Sequence, residues 1–77
     1  MEKQGNSEPG LDVMDLMILR ECSGEEYVKW LRLAALVGLP DIIVMHRLDA
    51  LAVYGYVVSD HWTSSFKLTD KGKAAAQ

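Results

Sequence analysis

The stretch from Leu33 to Val57, LAALVGLPDIIVMHRLDALAVYGYV, constrains the fold more than any other part of the chain. Ala34 stands four positions before Gly38, and a second apolar run then extends to Gly55. A small side chain at Ala34 lets one helix cross close to another. Gly38 can take the positive φ of a tight corner, and Gly55 can do the same at a helix C-terminus. Two helices meeting at a short turn, a helix-turn-helix, is the expected product. Leu39-Pro40-Asp41 makes the turn, with Pro40 before or at the first position of the second helix and Asp41 suited to the positive end of its dipole.

Beyond Gly55 the pattern changes from helical to extended. Tyr56-Val57-Val58-Ser59 is β-prone, Asp60 to Ser65 is polar and turn-like, and Phe66-Lys67-Leu68 alternates apolar and polar before Thr69-Asp70-Lys71-Gly72. This predicts a hairpin. The succession of Leu33-Ala34, Gly38, Leu48 with Leu51, Gly55-Tyr56-Val57 and Phe66 to Gly72 resembles the winged-helix DNA-binding domains of bacterial regulators in the MarR-like, ArsR-like and PadR-like groups. The resemblance covers about Asp12 to Lys73, and the order of the motifs carries it more than any one of them. It implies an α+β fold, mostly helical: three helices, a β-hairpin wing and a short C-terminal helix. It also implies a DNA-binding transcriptional regulator, with a recognition helix at about 40–55 in the major groove and a wing at about 56–68 on the backbone or in the minor groove.

Seventy-seven residues are enough for one small domain, expected over residues 11–77, in which a single core gives only a few kcal/mol of net stability. The apolar runs are far shorter than the roughly 20 residues of a membrane-spanning helix. With no apolar signal region at the start and Cys22 alone, a soluble protein of the reducing cytoplasm is expected. The formal net charge is −3, but it is unevenly spread. Residues 1–26 carry two basic against seven acidic side chains, whereas residues 27–77 carry six against four, so the segment holding the proposed reading head permits a phosphate-facing surface.

Residues 1–10 are polar and aperiodic and are expected to form a disordered tail. Asp12, with Asp15, suits the N-terminus of a first helix running to about Cys22. From Val13 to Leu19 only Asp15 is polar, so that helix needs more than one neighbour, and some of its surface is open to a partner chain. Ser23-Gly24-Glu25-Glu26 fits a capping box opening a second helix from about Gly24 to Val37, although the resembling groups often place a short strand near Tyr27 to Lys29. Thr69 is the expected N-cap of a final helix through Ala76.

On the third helix, spacing puts Val44, Leu48 and Leu51 inward, and Ile42, Met45, His46, Asp49 and Val53 outward or on the flanks. By the resemblance, the outward face is the reading face. Ile42 and Met45 suit thymine methyl groups, half-buried packing or a protein contact. His46 can donate to a guanine acceptor or a phosphate, and Arg47 can meet a phosphate or pair with Asp41 or Asp49. In the wing, His61, Thr63 and Ser64 offer hydrogen bonds. Trp62 is expected to fold back over the hairpin, with stacking on or wedging against a partner as the alternative. Lys29 and Arg32, with Lys71 and Lys73 after the wing, are candidate phosphate anchors flanking the reading head, and Lys67 is the candidate base within the hairpin itself. Double-stranded DNA is the expected partner, and a protein partner and a homodimer are open alternatives. Cys22, His46 and His61 lack metal-ligand spacing, and the sequence has no glycine-rich phosphate loop, zinc-binding HExxH or nucleophile elbow, so no metal, cofactor or enzymatic activity is expected. Cys22 fits the role of a small core residue.

Overall fold

The computed structural model describes residues 10–77. Apart from Gly10, the tail expected over residues 1–10 lies outside the described residues. Helix α1 (Val13–Glu21) starts where two carboxylates cap each other's backbone: the Asp15 N–H donates to Asp12 at 2.9 Å and the Asp12 N–H to Asp15 at 3.1 Å. It ends with Cys22 as its cap, buried as expected.

The second helix starts later than its sequence predicts. The Ser23 hydroxyl does accept from the Glu25 and Glu26 N–H groups, at 2.9 and 3.2 Å, but it closes a turn rather than opening a helix. The chain then extends as β1 (Val28–Lys29), and α2 is only Trp30–Val37. The reason is tertiary. The edge of the hairpin accepts Val28 opposite Phe66 and Lys29 opposite Ser65, and strand pairing with burial outweighs one local cap.

Helix α2 closes at Gly38, whose φ of 74° is the left-handed value the tight corner needs. Helix α3 (Asp41–Val53) follows, and Gly55, with φ 83°, carries the chain into β2 (Val57–Asp60). Strand β3 (Ser65–Leu68) returns antiparallel to β2, with Val57 opposite Leu68 and Asp60 opposite Ser65. The sheet order is β1-β3-β2, so β3 is central. Helix α4 (Asp70–Ala76) is capped by Thr69, as expected.

Among the described residues, four helices and a three-stranded antiparallel sheet make an α+β winged helix-turn-helix. Its core joins Ile18 and Leu19 of α1, Leu33 and Ala34 of α2, Val44, Leu48 and Leu51 of α3, and Val57, Phe66 and Leu68 of the sheet. The apolar sides of α1 have an internal explanation, because α1 packs on α2, α3 and α4 at once. No helix among the described residues is long and apolar enough to cross a membrane.

Candidate nucleic-acid interface

Helix α3 presents the face its spacing predicts. Val44, Leu48 and Leu51 are buried, which turns Ile42, Met45, Asp49 and Val53 into a stripe along the other side. Ile42 is 62% and Val53 79% exposed, whereas Met45 is half-buried against the core. Of the readings open for Ile42 and Met45, half-buried packing therefore holds for Met45 alone. His46 is exposed on the flank of the stripe, where with Ile43, Arg47 and Ala50 it borders a groove against Met14 and Asp15 of α1.

The wing stands beside that stripe. A shallow cleft of about 170 Å³ is lined by Met45 and Asp49 of α3 and by Ser59, Asp60, His61, Ser64 and Phe66 of the hairpin. The sequence did not single out Ser59 and Phe66 for this surface. Strand alternation could have found Ser59, because it pairs with the buried Phe66 and so shares the inner face of the sheet. The cleft has an acidic bias, with two carboxylates and no lysine or arginine in its lining.

The hairpin tip is braced. Asp60 Oδ1 accepts from the Trp62 N–H at 3.0 Å, the Ser65 hydroxyl donates to the Thr63 carbonyl at 3.2 Å, and the Trp30 N–H donates to the Ser64 carbonyl at 3.0 Å. Ser64 takes φ 51°, which its short polar side chain tolerates. Trp62 does not fold back over the hairpin: it is 97% exposed. The expectation of burial fails because the space beneath the sheet is already filled by Val57, Phe66 and Leu68, and a residue at a tight tip has no strand neighbour to lean on.

The cations divide into two sets. Lys29 and Arg32 are exposed, and β1 pairing sets Lys29 opposite Ser65, next to a tip that carries no lysine or arginine of its own. Lys67 lies on the outer face of the sheet, its ammonium 4.8 Å from the centre of the Tyr27 ring. Lys71 lies along the surface, donating to the Tyr54 carbonyl at 2.8 Å and lying 4.4 Å from the centre of the Tyr56 ring. It meets the C-terminal end of α3, where a cation offsets the negative end of the dipole.

Arg47 pairs with neither Asp41 nor Asp49. Its Nη1 donates to Asp12 at 2.6 Å and to Asp15 at 3.1 Å, tying α3 to the N-terminus of α1. The Asp15 N–H and then the Arg47 guanidinium hold the Asp12 carboxyl below its ordinary range. The signal was available in sequence as two aspartates three apart at a helix start, but only the crossing of α1 and α3 selects the arginine that meets them. Burial, helped by the nearby Glu21 charge, pushes the Cys22 thiol up to about 12, in keeping with a packing role. Among the described residues no group of three or more His, Cys, Asp or Glu side chains could hold a metal ion.

No family model and no curated protein sequence matches the chain. Among solved structures it is similar to the multiple antibiotic-resistance repressor (MarR) from Listeria monocytogenes 4b F2365, with a TM-score of 0.77 and 19% identity over 87% of this chain. The chain spans about half of that protein, 48% of its length. At this identity the likeness establishes the fold.

Proposed function

We propose that this winged helix-turn-helix is the DNA-binding portion of a transcriptional regulator acting in the cytoplasm, with α3 in the major groove and the β2–β3 wing on the neighbouring backbone or minor groove. One observation carries the reading: the outward stripe of α3 and the wing tip open together on a shared cleft, so a rod and a ribbon face one ligand side by side. The structural likeness to a repressor supports it.

Each region of the surface then has a task. Ile42, Met45 and Val53 meet thymine methyl groups, and His46 donates to a guanine acceptor or a phosphate. Lys29, Arg32 and Lys67 take phosphates, supported by His61 and the hydroxyls of Thr63 and Ser64. Arg47 contributes indirectly by fixing α3 on α1. Asp49 works against the polyanion. With no arginine, lysine, asparagine or glutamine on the stripe, base discrimination is weak and affinity depends on backbone contacts. A second copy on a two-fold related half-site belongs to the same proposal, and light scattering of the complex should then give the mass of the duplex plus twice that of the chain.

A mobility shift in a salt series tests the reading. Three phosphate anchors should give a slope of log K against log salt of roughly −3 per chain, because each neutralised phosphate contributes about −0.9. If micromolar protein retains no duplex at low salt, operator-like or random, the reading is overturned. The protein-contact alternative, an apolar patch of Ile42, Met45 and Trp62, would then stand, with Ile42 and Trp62 as its exposed members.

A further inference from the structure

We propose that Trp62 is a wedge: its indole enters the minor groove beside the wing and partly unstacks a flexible pyrimidine–purine step. This rests on the DNA-binding reading above and adds to it both the class of DNA preferred and the residue that prefers it.

Two observations converge on this residue. The chain has two tryptophans, and the fold treats them oppositely: Trp30 packs against the core, whereas Trp62 is 97% exposed. Of the large apolar side chains the described fold leaves exposed, Trp62 is the most fully uncovered. The tip that carries it is held on three sides, by the Asp60 carboxylate on its own N–H, by the Ser65 hydroxyl on the Thr63 carbonyl, and by the Trp30 N–H on the Ser64 carbonyl. A wedge must be stiff to separate stacked bases, and this one is braced by its own backbone.

The position of the tip selects the ligand. His61 and Ser64 share the cleft with Met45 and Asp49 of α3, so the tip borders the reading stripe. With α3 in the major groove, a ribbon beside it crosses the backbone and arrives at the minor groove. Wings that enter this groove with arginine or lysine use its negative potential. Residues 61–64 hold neither, and Asp60 adds the opposite charge, so a cationic insertion is unavailable. What remains is an aromatic plate followed by hydroxyl donors at Thr63 and Ser64, which suits insertion between bases with hydrogen bonds to the neighbouring sugar and phosphate. Unstacking is least costly at TA and CA/TG steps and most costly in stiff A-tracts. The wedge therefore reads deformability, which offsets the lack of bidentate donors on α3.

The experiment compares the full-length chain with Trp62→Phe and Trp62→Ala on two duplexes of equal length and A·T content, one rich in TA steps and one an uninterrupted A-tract. Substitution at so exposed a position leaves the core untouched, and circular dichroism checks this. Wild type should favour the TA-rich duplex, Trp62→Ala should lose about tenfold on that duplex and little on the A-tract, and Trp62→Phe should keep most of the affinity. Wild-type tryptophan fluorescence should be quenched on binding, and Trp62→Phe, which retains only Trp30, should not be. Salt-dependent binding with equal affinity for all three proteins, or an unquenched wild type at saturation, overturns the wedge and leaves the DNA-binding reading standing. Failure of wild type to bind either duplex at low salt overturns both.

Discussion

At the scale of single residues, Thr69 shows how one short side chain holds several elements. Its hydroxyl oxygen accepts from the Gly72 N–H at 3.1 Å to cap α4, and the same hydroxyl is 3.0 Å from the Tyr56 carbonyl and within bonding distance of the Gly55 carbonyl at the corner leaving α3. Gly72 completes the joint, because a Cβ there would run into the Tyr56 carbonyl oxygen. Replacing Thr69 with alanine removes the cap and leaves a carbonyl less well satisfied, so urea unfolding should show a loss of about 1–2 kcal/mol with the m-value unchanged. Thr69→Ser should recover most of it. An alanine variant as stable as wild type would show that the corner is held by packing alone.

At the scale of elements, helix α3 depends on α1 through a charge. Asp12 is exposed, and the Asp15 N–H followed by Arg47 lowers its pKa from the ordinary 3.8. A carboxyl whose folded pKa is depressed stabilises the fold at all pH above its unfolded value and loses that contribution as pH falls through the folded one. The melting temperature should therefore decline as pH drops below about 3.8. Asp12→Asn keeps a good capping side chain but discards the charge, so it separates the two effects. It should melt below wild type at pH 7, and the gap should close toward pH 3. A gap that stays constant across this range would show that Arg47 adds nothing beyond the cap.

At the scale of the whole molecule, the proposed function asks a chain with a net charge of −3 to hold a polyanion. The cleft between α3 and the wing is where a phosphate strand would cross from major to minor groove, and Asp49 and Asp60 both line it. Of the two, Asp60 is occupied in bracing the tip, whereas Asp49 lies on the stripe itself. Asp49→Asn should raise affinity for duplex DNA by up to about fivefold at low salt, since unit charges 4 Å apart in water interact by roughly 1 kcal/mol. The gain should shrink as salt screens it. Unchanged binding at every salt concentration would place the phosphates elsewhere and move the docking geometry away from the cleft.

The linear chain settled whatever depends on local chemistry: glycines at Gly38 and Gly55 for left-handed corners, a 3.6-residue repeat that buries Val44, Leu48 and Leu51, alternation at Phe66 to Leu68, and caps at Asp12 and Thr69. These rules act over three or four residues and so can be read in order along the sequence. Contacts between distant segments were decided by packing. β1 exists because β3 offers an edge, Arg47 serves α1 because the helices cross there, and Trp62 stays in water because the sheet's inner face was already full. Each outcome turned on which surfaces together exclude most water, a competition among non-local alternatives that no short window of sequence contains.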